Sequence, residues 1–310
     1  MDLTLCQKII DNIRRVIVGK EETIRLLMTA LLADGHALLE DVPGLGKTLI
    51  AKALAVSIGG TFKRVQFTPD LLPSDVTGFN VFNQQSGRFT FQPGPVMSNV
   101  LLADEINRTI QRTQSSLLES MEERQVTVDG RTLPLPAPFF VIATQNPIEQ
   151  EGTFPLPEAQ LDRFLLRIRL GYPSREEEIA ILARFQLDDP LRDLVAVATP
   201  NEIVTLQQAR REITVSDAVR HYIADIVRAT REDRAVKFGA SPRGALGLMR
   251  AGQAYAALQA RQYVRPDDIQ ALCLPVLGHR LVLHEEERFR GLTVDRVLAR
   301  LVEQIPVPVA

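Results

Sequence analysis

Leu38-Leu39-Glu40-Asp41-Val42-Pro43-Gly44-Leu45-Gly46-Lys47-Thr48-Leu49-Ile50 is the stretch that decides the fold. It opens as a short apolar strand, turns through two glycines and enters a helix with Lys-Thr in its first turn. That order matches a phosphate-binding loop, G-x-x-x-x-G-K-[ST]. Gly44 and Gly46 have no Cβ, so backbone N–H groups can crowd a polyphosphate. The helix N-terminus adds partial positive charge at the same place. Lys47 is the candidate for the β- and γ-phosphates, and Thr48 for a Mg²⁺ ion. Pro43, Leu45 and Leu49 complete the loop's nucleotide contacts. The pattern's first glycine falls at Asp41, a residue type that tolerates left-handed backbone and whose carboxylate is expected to point away from the phosphates.

Working outward, the same alternation of strand and helix continues. Residues 2–15 and Glu21 to Leu32 carry helical apolar spacing. Between them, Val16, Ile17 and Val18, followed by Gly19, read either as plain core or as the wall against which a base packs, since nucleotide pockets are mostly apolar. Strands are expected at His36 to Glu40, Phe62 to Phe67, Asn99 to Glu105, Phe139 to Pro147 and Leu165 to Leu170. Asn99-Val100-Leu101-Leu102-Ala103-Asp104-Glu105 is an apolar run ending in two acids, the way a buried parallel strand delivers carboxylates to a sheet edge. Asp104 suits the metal's water shell, and Glu105 suits the polarising of an attacking water. Asn146, at the tip of the next strand, can bond both a γ-phosphate and a water. Two hairpins interrupt the pattern, at about 76–96 and about 125–135, the second with an Asp129-Gly130 turn.

After Gly171-Tyr172-Pro173 the strand signals stop, and six helical segments follow, with Ser216, Ser241 and Thr293 as N-cap candidates. The reading is therefore a three-layer α/β domain with a parallel sheet over residues 1–172, then a smaller all-α lid over 173–310. The 310 residues are 45 % hydrophobic and carry 36 Lys+Arg against 38 Asp+Glu, a net charge of −2. That balance gives no electrostatic reason to expect nucleic acid or an anionic membrane as main partner. No apolar run approaches a membrane span, and no signal peptide is visible. Cys6 and Cys273, far apart in sequence, argue against a disulfide framework and fit a reducing cytoplasm.

The whole chain resembles the MoxR family of AAA+ ATPases. The resemblance rests on the phosphate loop, on Leu102-Ala103-Asp104-Glu105-Ile106-Asn107-Arg108, on Leu117 to Glu123, on Ala143-Thr144-Gln145-Asn146-Pro147, on Glu151 to Phe164 and on Gly239-Ala240-Ser241-Pro242-Arg243. It implies ATP/ADP and Mg²⁺ as cofactors. It also implies that Asn146 is the sensor 1 residue, Arg163 the arginine finger offered to a neighbouring subunit, and Arg243 the sensor 2 arginine of the lid, acting within its own subunit. Arg112, Arg124 and Arg167 lie near the same expected interface. The hairpins match the helix 2 insert and the pre-sensor 1 hairpin. Similar proteins form ring hexamers, often beside partners with von Willebrand A domains, and act as chaperones that insert metals or cofactors into a protein client. Thr109-Ile110-Gln111-Arg112 departs from the Pro- and Lys-containing segment usual at that place. The alternatives are a nucleic-acid motor or loader built on the same module, and a slow nucleotide-gated binding switch. The hairpin turns, Asn83-Gln84-Gln85-Ser86-Gly87 and Asp129-Gly130-Arg131, are weakly basic, which disfavours nucleic acid.

Overall fold

The computed structural model describes residues 3–42, 44–85, 87–146, 152–186 and 189–308. The expectations at Pro43, Pro147 and Glu151 lie outside the described residues. In chain order the first half runs α1 (Leu3–Arg14), α2 (Glu21–Leu32), β1 (Ala37–Glu40), α3 (Lys47–Ser57), β2 (Phe62–Gln66), α4 (Pro73–Thr77), β3 (Gly78–Asn83), β4 (Arg88–Pro93), β5 (Val100–Asp104), α5 (Gln111–Glu123), β6 (Gln125–Val128), β7 (Arg131–Pro134), β8 (Phe140–Gln145), α6 (Glu158–Leu161) and β9 (Leu166–Ile168). The second half runs α7 (Arg175–Arg184), α8 (Pro200–Ala209), α9 (Asp217–Glu232), β10 (Val236–Phe238), α10 (Pro242–Leu258), α11 (Pro266–Leu277), β11 (Val282–Leu283), α12 (Glu285–Phe289) and α13 (Val294–Gln304).

Five strands form one parallel sheet in the order β2-β5-β8-β1-β9. Alternation along the strands feeds two separate layers. Leu39, Val100, Leu102, Phe140 and Ile142 face α1, α2 and α3, whereas Leu38, Leu101, Ala103, Val141 and Ala143 face Leu117, Leu118 and Met121 of α5. Each fully buried side chain of this kind is worth about 1.5–3 kcal/mol. With both faces covered, the phosphate loop, Asp104 and Asn146 leave from the same end of adjacent strands.

The lid is helical, as expected, and its apolar residues belong to the same core. Tyr222, Ile226, Leu248, Ala251, Leu272 and Val276 join α1, α2 and α3 in one continuous cluster. Three short elements escape the sequence patterns. β10 and β11 form a small antiparallel ladder, and α12 is a single turn. At the first hairpin, Pro73 at the helix start and the Asp75 carboxylate, accepting from the Leu72 N–H at 2.9 Å, wind residues 73–77 into α4, so the ribbon begins at Gly78. Ser216 and Thr293 cap α9 and α13 through the N–H groups of Val219 and Arg296. Ser241 does not cap α10: its hydroxyl donates to Asp162 Oδ2 at 3.3 Å, tying the lid to the first domain.

Candidate functional site

β1 ends at Glu40, and the chain turns through Gly44 (φ 89°) and Gly46 (φ 80°), left-handed conformations that glycine reaches without strain, into α3 at Lys47. Over this turn lies a cavity of about 370 Å³, lined by Asp41, Gly44, Gly46, Lys47, Thr48, Leu49, Arg64, Gln66, Asp104, Glu105, Thr144 and Asn146. Five of the residues singled out for phosphate, metal and water chemistry therefore converge: Lys47, Thr48, Asp104, Glu105 and Asn146. Lys47 Nζ donates to the Asp41 carbonyl at 2.5 Å. Burial lowers the Lys47 pKa, against the pull of Asp41, Asp104 and Glu105.

Asp41 turns its carboxylate away from the cavity floor. Its Oδ2 accepts from the N–H groups of Leu170 and, at 3.0 Å, Gly171, just beyond β9. Lys20 grips the same stretch from the other side, donating to the carbonyls of Leu170, Gly171 and Tyr172 at 2.9, 2.9 and 3.1 Å. The acid at the unusual position of the phosphate loop thus anchors the end of the sheet.

The two acids of β5 are held individually. Asp104 Oδ1 accepts from Thr144 Oγ1 at 2.6 Å, and Oδ2 accepts from Arg64 Nη2 at 2.7 Å and Nε at 3.1 Å. Glu105 adopts left-handed backbone (φ 56°) with its N–H on Thr144 Oγ1 at 2.8 Å. Its Oε2 accepts from Gln66 Nε2 at 2.6 Å and pairs with Arg108 Nε at 3.0 Å. Arg64 and Gln66 were not legible as site residues. They sit on an exposed-looking edge strand, and only the parallel register, with Gln66 opposite Asp104, brings them to the acids.

A second cavity, about 380 Å³ and mostly apolar, shares Gly44, Gly46 and Leu49 with the first. Val16, Ile17, Val18, Leu45, Ile50 and Phe185 are among its walls, so the base-packing alternative for the 16–18 segment has a cavity to match it. Gly19 is not in that wall. It sits at φ 65°, and a Cβ there would overlap the Glu177 carboxyl group of α7.

Arg163 and Arg243 lie elsewhere, together. Arg163 Nε meets Glu122 Oε2 at 3.2 Å, and Arg243 Nη2 meets Glu122 Oε1 at 2.7 Å. Both line a third cavity, of about 510 Å³, which shares no lining residue with the phosphate-loop cavity. Arg243 thus stands beside Arg163 rather than at the phosphate loop of its own chain. The physical reason is how the lid docks. Arg280, with 3 % of its side chain exposed, reaches from the lid to Asp162 Oδ1 at 2.6 Å and the Phe164 carbonyl at 2.7 Å, while His279 Nε2 meets that same carbonyl at 2.9 Å. These bonds pin the start of α10 beside Asp162 and Arg163. Of the other arginines near the expected interface, Arg124 is tied inward to Asp34 and the Phe139 carbonyl, Arg167 is half-buried beside Glu40, and Arg112 is exposed.

A parallel β2-β5-β8-β1-β9 sheet with a phosphate loop after β1, two acids closing β5 and a helical lid defines an ATPase module of the AAA+ class. Residues 36–166 match the family model described as ATPase family associated with various cellular activities (AAA), and residues 228–301 match the AAA lid domain. The chain is 51 % identical to the uncharacterized protein YeaC of Bacillus subtilis, over 98 % of this chain and 95 % of that one. It is 42 % identical to the chaperone MoxR1 of Mycobacterium tuberculosis, over 97 % of this chain and 82 % of that one. A solved chain from Cytophaga hutchinsonii, described as a candidate ATPase, superposes with a TM-score of 0.93 at 38 % identity, covering 99 % of this chain and 96 % of that one. The chain belongs to the MoxR family of AAA+ ATPases.

Proposed function

We propose that this protein hydrolyses Mg·ATP at a site completed by a neighbouring copy, and spends the cycle on remodelling or maturing a protein client. The observation that carries the reading is the division of the machinery. Lys47, Thr48, Asp104, Glu105 and Asn146 share one cavity, while Arg163 and Arg243 stand together on another, both paired with Glu122. One subunit holds the phosphates, metal and water, and the next supplies both arginines.

The donor set suits Mg²⁺, which is held by few protein oxygens and by phosphate. Thr48, in the first turn of α3, and Asp104 line the same cavity. When bound, Mg²⁺ would neutralise the β- and γ-phosphate oxygens. Lys47 leaves the Asp41 carbonyl for those oxygens. Glu105, its carboxylate oriented by Gln66 and Arg108, polarises the attacking water, and Asn146 bonds water and γ-phosphate. Charge developing on the γ-phosphate in the transition state is met by Arg163 and Arg243 of the neighbour, an effect of about 10³–10⁵ in rate for a single finger in related loops. In this reading the first domain, 1–172, carries the nucleotide and the lid, 173–310, carries Arg243.

A protein client is favoured over nucleic acid by the first hairpin. Phe79, Phe82 and Phe89 are about half exposed or more, and Phe82 and Phe89 pack ring to ring at 5.3 Å near its tip. Apolar area of this kind grips protein better than phosphate backbone. A ring hexamer, a von Willebrand A partner and a cytoplasmic setting complete the proposal. No described helix is long and apolar enough to cross a membrane.

The test is ATP turnover against protein concentration, with size analysis of the same samples. Turnover per subunit should rise as the assembly appears. Appreciable turnover by a species that stays monomeric overturns the shared site, and an assembled ring that stays slow even with client and partner present returns the protein to a binding switch.

A further inference from the structure

We infer that Arg64 is a built-in counter-ion of Asp104, held on that carboxylate in the nucleotide-free protein and released before the carboxylate can serve a divalent cation. The inference rests on the reading of Asp104 as the metal-side acid. It adds a residue that no phosphate-loop or acid motif contains.

The parallel register sets Gln66 against Asp104, and Arg64, two residues earlier, lies on the same face of β2. The Arg64 guanidinium donates twice to Asp104 Oδ2, at 2.7 and 3.1 Å, and once to Gln66 Oε1 at 2.9 Å. Asp104 Oδ1 is taken by Thr144. Both oxygens of the acid are therefore engaged, one of them by a full positive charge at the wall of the phosphate cavity. Exposure decides which partner gives way. Arg64 has 48 % of its side chain in solvent on a long flexible stem, whereas Asp104 has 18 % on a short one locked by Thr144. A half-exposed pair of this kind is a weak bond, within reach of a bound divalent ion and nucleotide to displace. Bond and charge then pull in opposite directions. Arg64 opposes a second cation at Asp104 but attracts an incoming polyphosphate.

That opposition gives the experiment a sign. Mn²⁺ binding to the full-length protein saturated with ADP is read by electron paramagnetic resonance, and ATP binding is read separately in EDTA. For Arg64→Ala we expect Mn²⁺ to bind about two- to fivefold more tightly, and metal-free ATP more weakly. Arg64→Lys, which restores the charge without the two-pronged bond, should return both values toward wild type. Lys63→Ala removes an equal charge from the neighbouring, outward position of β2 and should leave Mn²⁺ affinity unchanged, separating the contact from a general field. Asp104→Asn should lose most Mn²⁺ affinity. If Asp104→Asn weakens Mn²⁺ but Arg64→Ala leaves it equal or weaker, or if Lys63→Ala matches Arg64→Ala, the counter-ion role is overturned and the metal-side reading stands. If Asp104→Asn binds Mn²⁺ as wild type does, the reading of Asp104 falls and the counter-ion role falls with it.

Discussion

Asp41 replaces a loop glycine, yet its side chain is a structural acceptor for two backbone N–H groups at the end of the sheet. Asp41→Ala should therefore cost stability, about 1–3 kcal/mol, because the Leu170 N–H is left part-buried without its acceptor. Urea unfolding checks this, and an unchanged midpoint would show the bonds to be replaceable by water. In the proposed mechanism Glu105 serves the reaction instead. Glu105→Gln keeps the bond to Gln66 in reach but removes the base, so turnover should fall about 10²–10⁴-fold while nucleotide affinity holds. A parallel fall in affinity, measured with a fluorescent nucleotide, would mean that Glu105 shapes the pocket rather than the water.

At the scale of elements, the start of α10 and the turn after α6 deliver Arg243 and Arg163 to one carboxylate, Glu122 at the end of α5. If both arginines act on a neighbour, Arg163→Ala and Arg243→Ala proteins should each be inactive alone and still bind ATP. Mixed with Lys47→Ala protein, either should recover part of the lost turnover, because some interfaces then pair an intact phosphate loop with an intact arginine face. An Arg243→Ala protein that stays dead in such mixtures would put Arg243 back on its own subunit's nucleotide. This pairing was out of reach of the motifs. They name the arginines, but the docking of α10 sets which cavity they line.

Across the whole molecule, the lid is held to the sheet domain by a shared apolar core and by a few buried polar anchors. Arg280 makes four such bonds to the Asp162–Leu165 segment. Removing it with Arg280→Ala strips Asp162 of its buried cation and should destabilise the protein by about 3 kcal/mol, seen as a lower urea midpoint. His36 is the matching anchor of the first domain. Its Nδ1 accepts from the Val141 N–H at 3.0 Å and its Nε2 meets the Met121 carbonyl at 3.2 Å, which leaves no place for a second ring proton. Burial first, then neighbouring arginines, pushes both His36 and His279 well below the usual imidazole range. The unfolded chain takes up those protons near pH 6.5 and the folded chain does not. Stability should thus be complete above about pH 7 and fall as pH drops below about 6.5, by up to about 1.4 kcal/mol per pH unit for each histidine. A urea midpoint that stays flat from pH 7.5 to 5.5 would refute it.

The sequence by itself determined the local grammar: a phosphate loop between a strand and a helix, two acids closing an apolar run, a polar tip at Asn146, hairpins around glycine turns and a helical second half. These are short-range features, set by backbone sterics and by which side chains must leave water. Segments of two to five residues, such as α4, α12 and the β10–β11 ladder, fell below the length at which periodicity can speak. Only the tertiary structure decided which distant residues meet. Arg64 and Gln66 join the acids because parallel pairing sets the register of β2 against β5. Ser241 abandons its cap for Asp162, and Arg243 joins Arg163, because burial of α10 and Arg280 against the sheet domain outweighs the local preferences of the lid. Those contacts span 79 and 118 residues of chain in the lid's case, and no pattern within a turn or a strand encodes them.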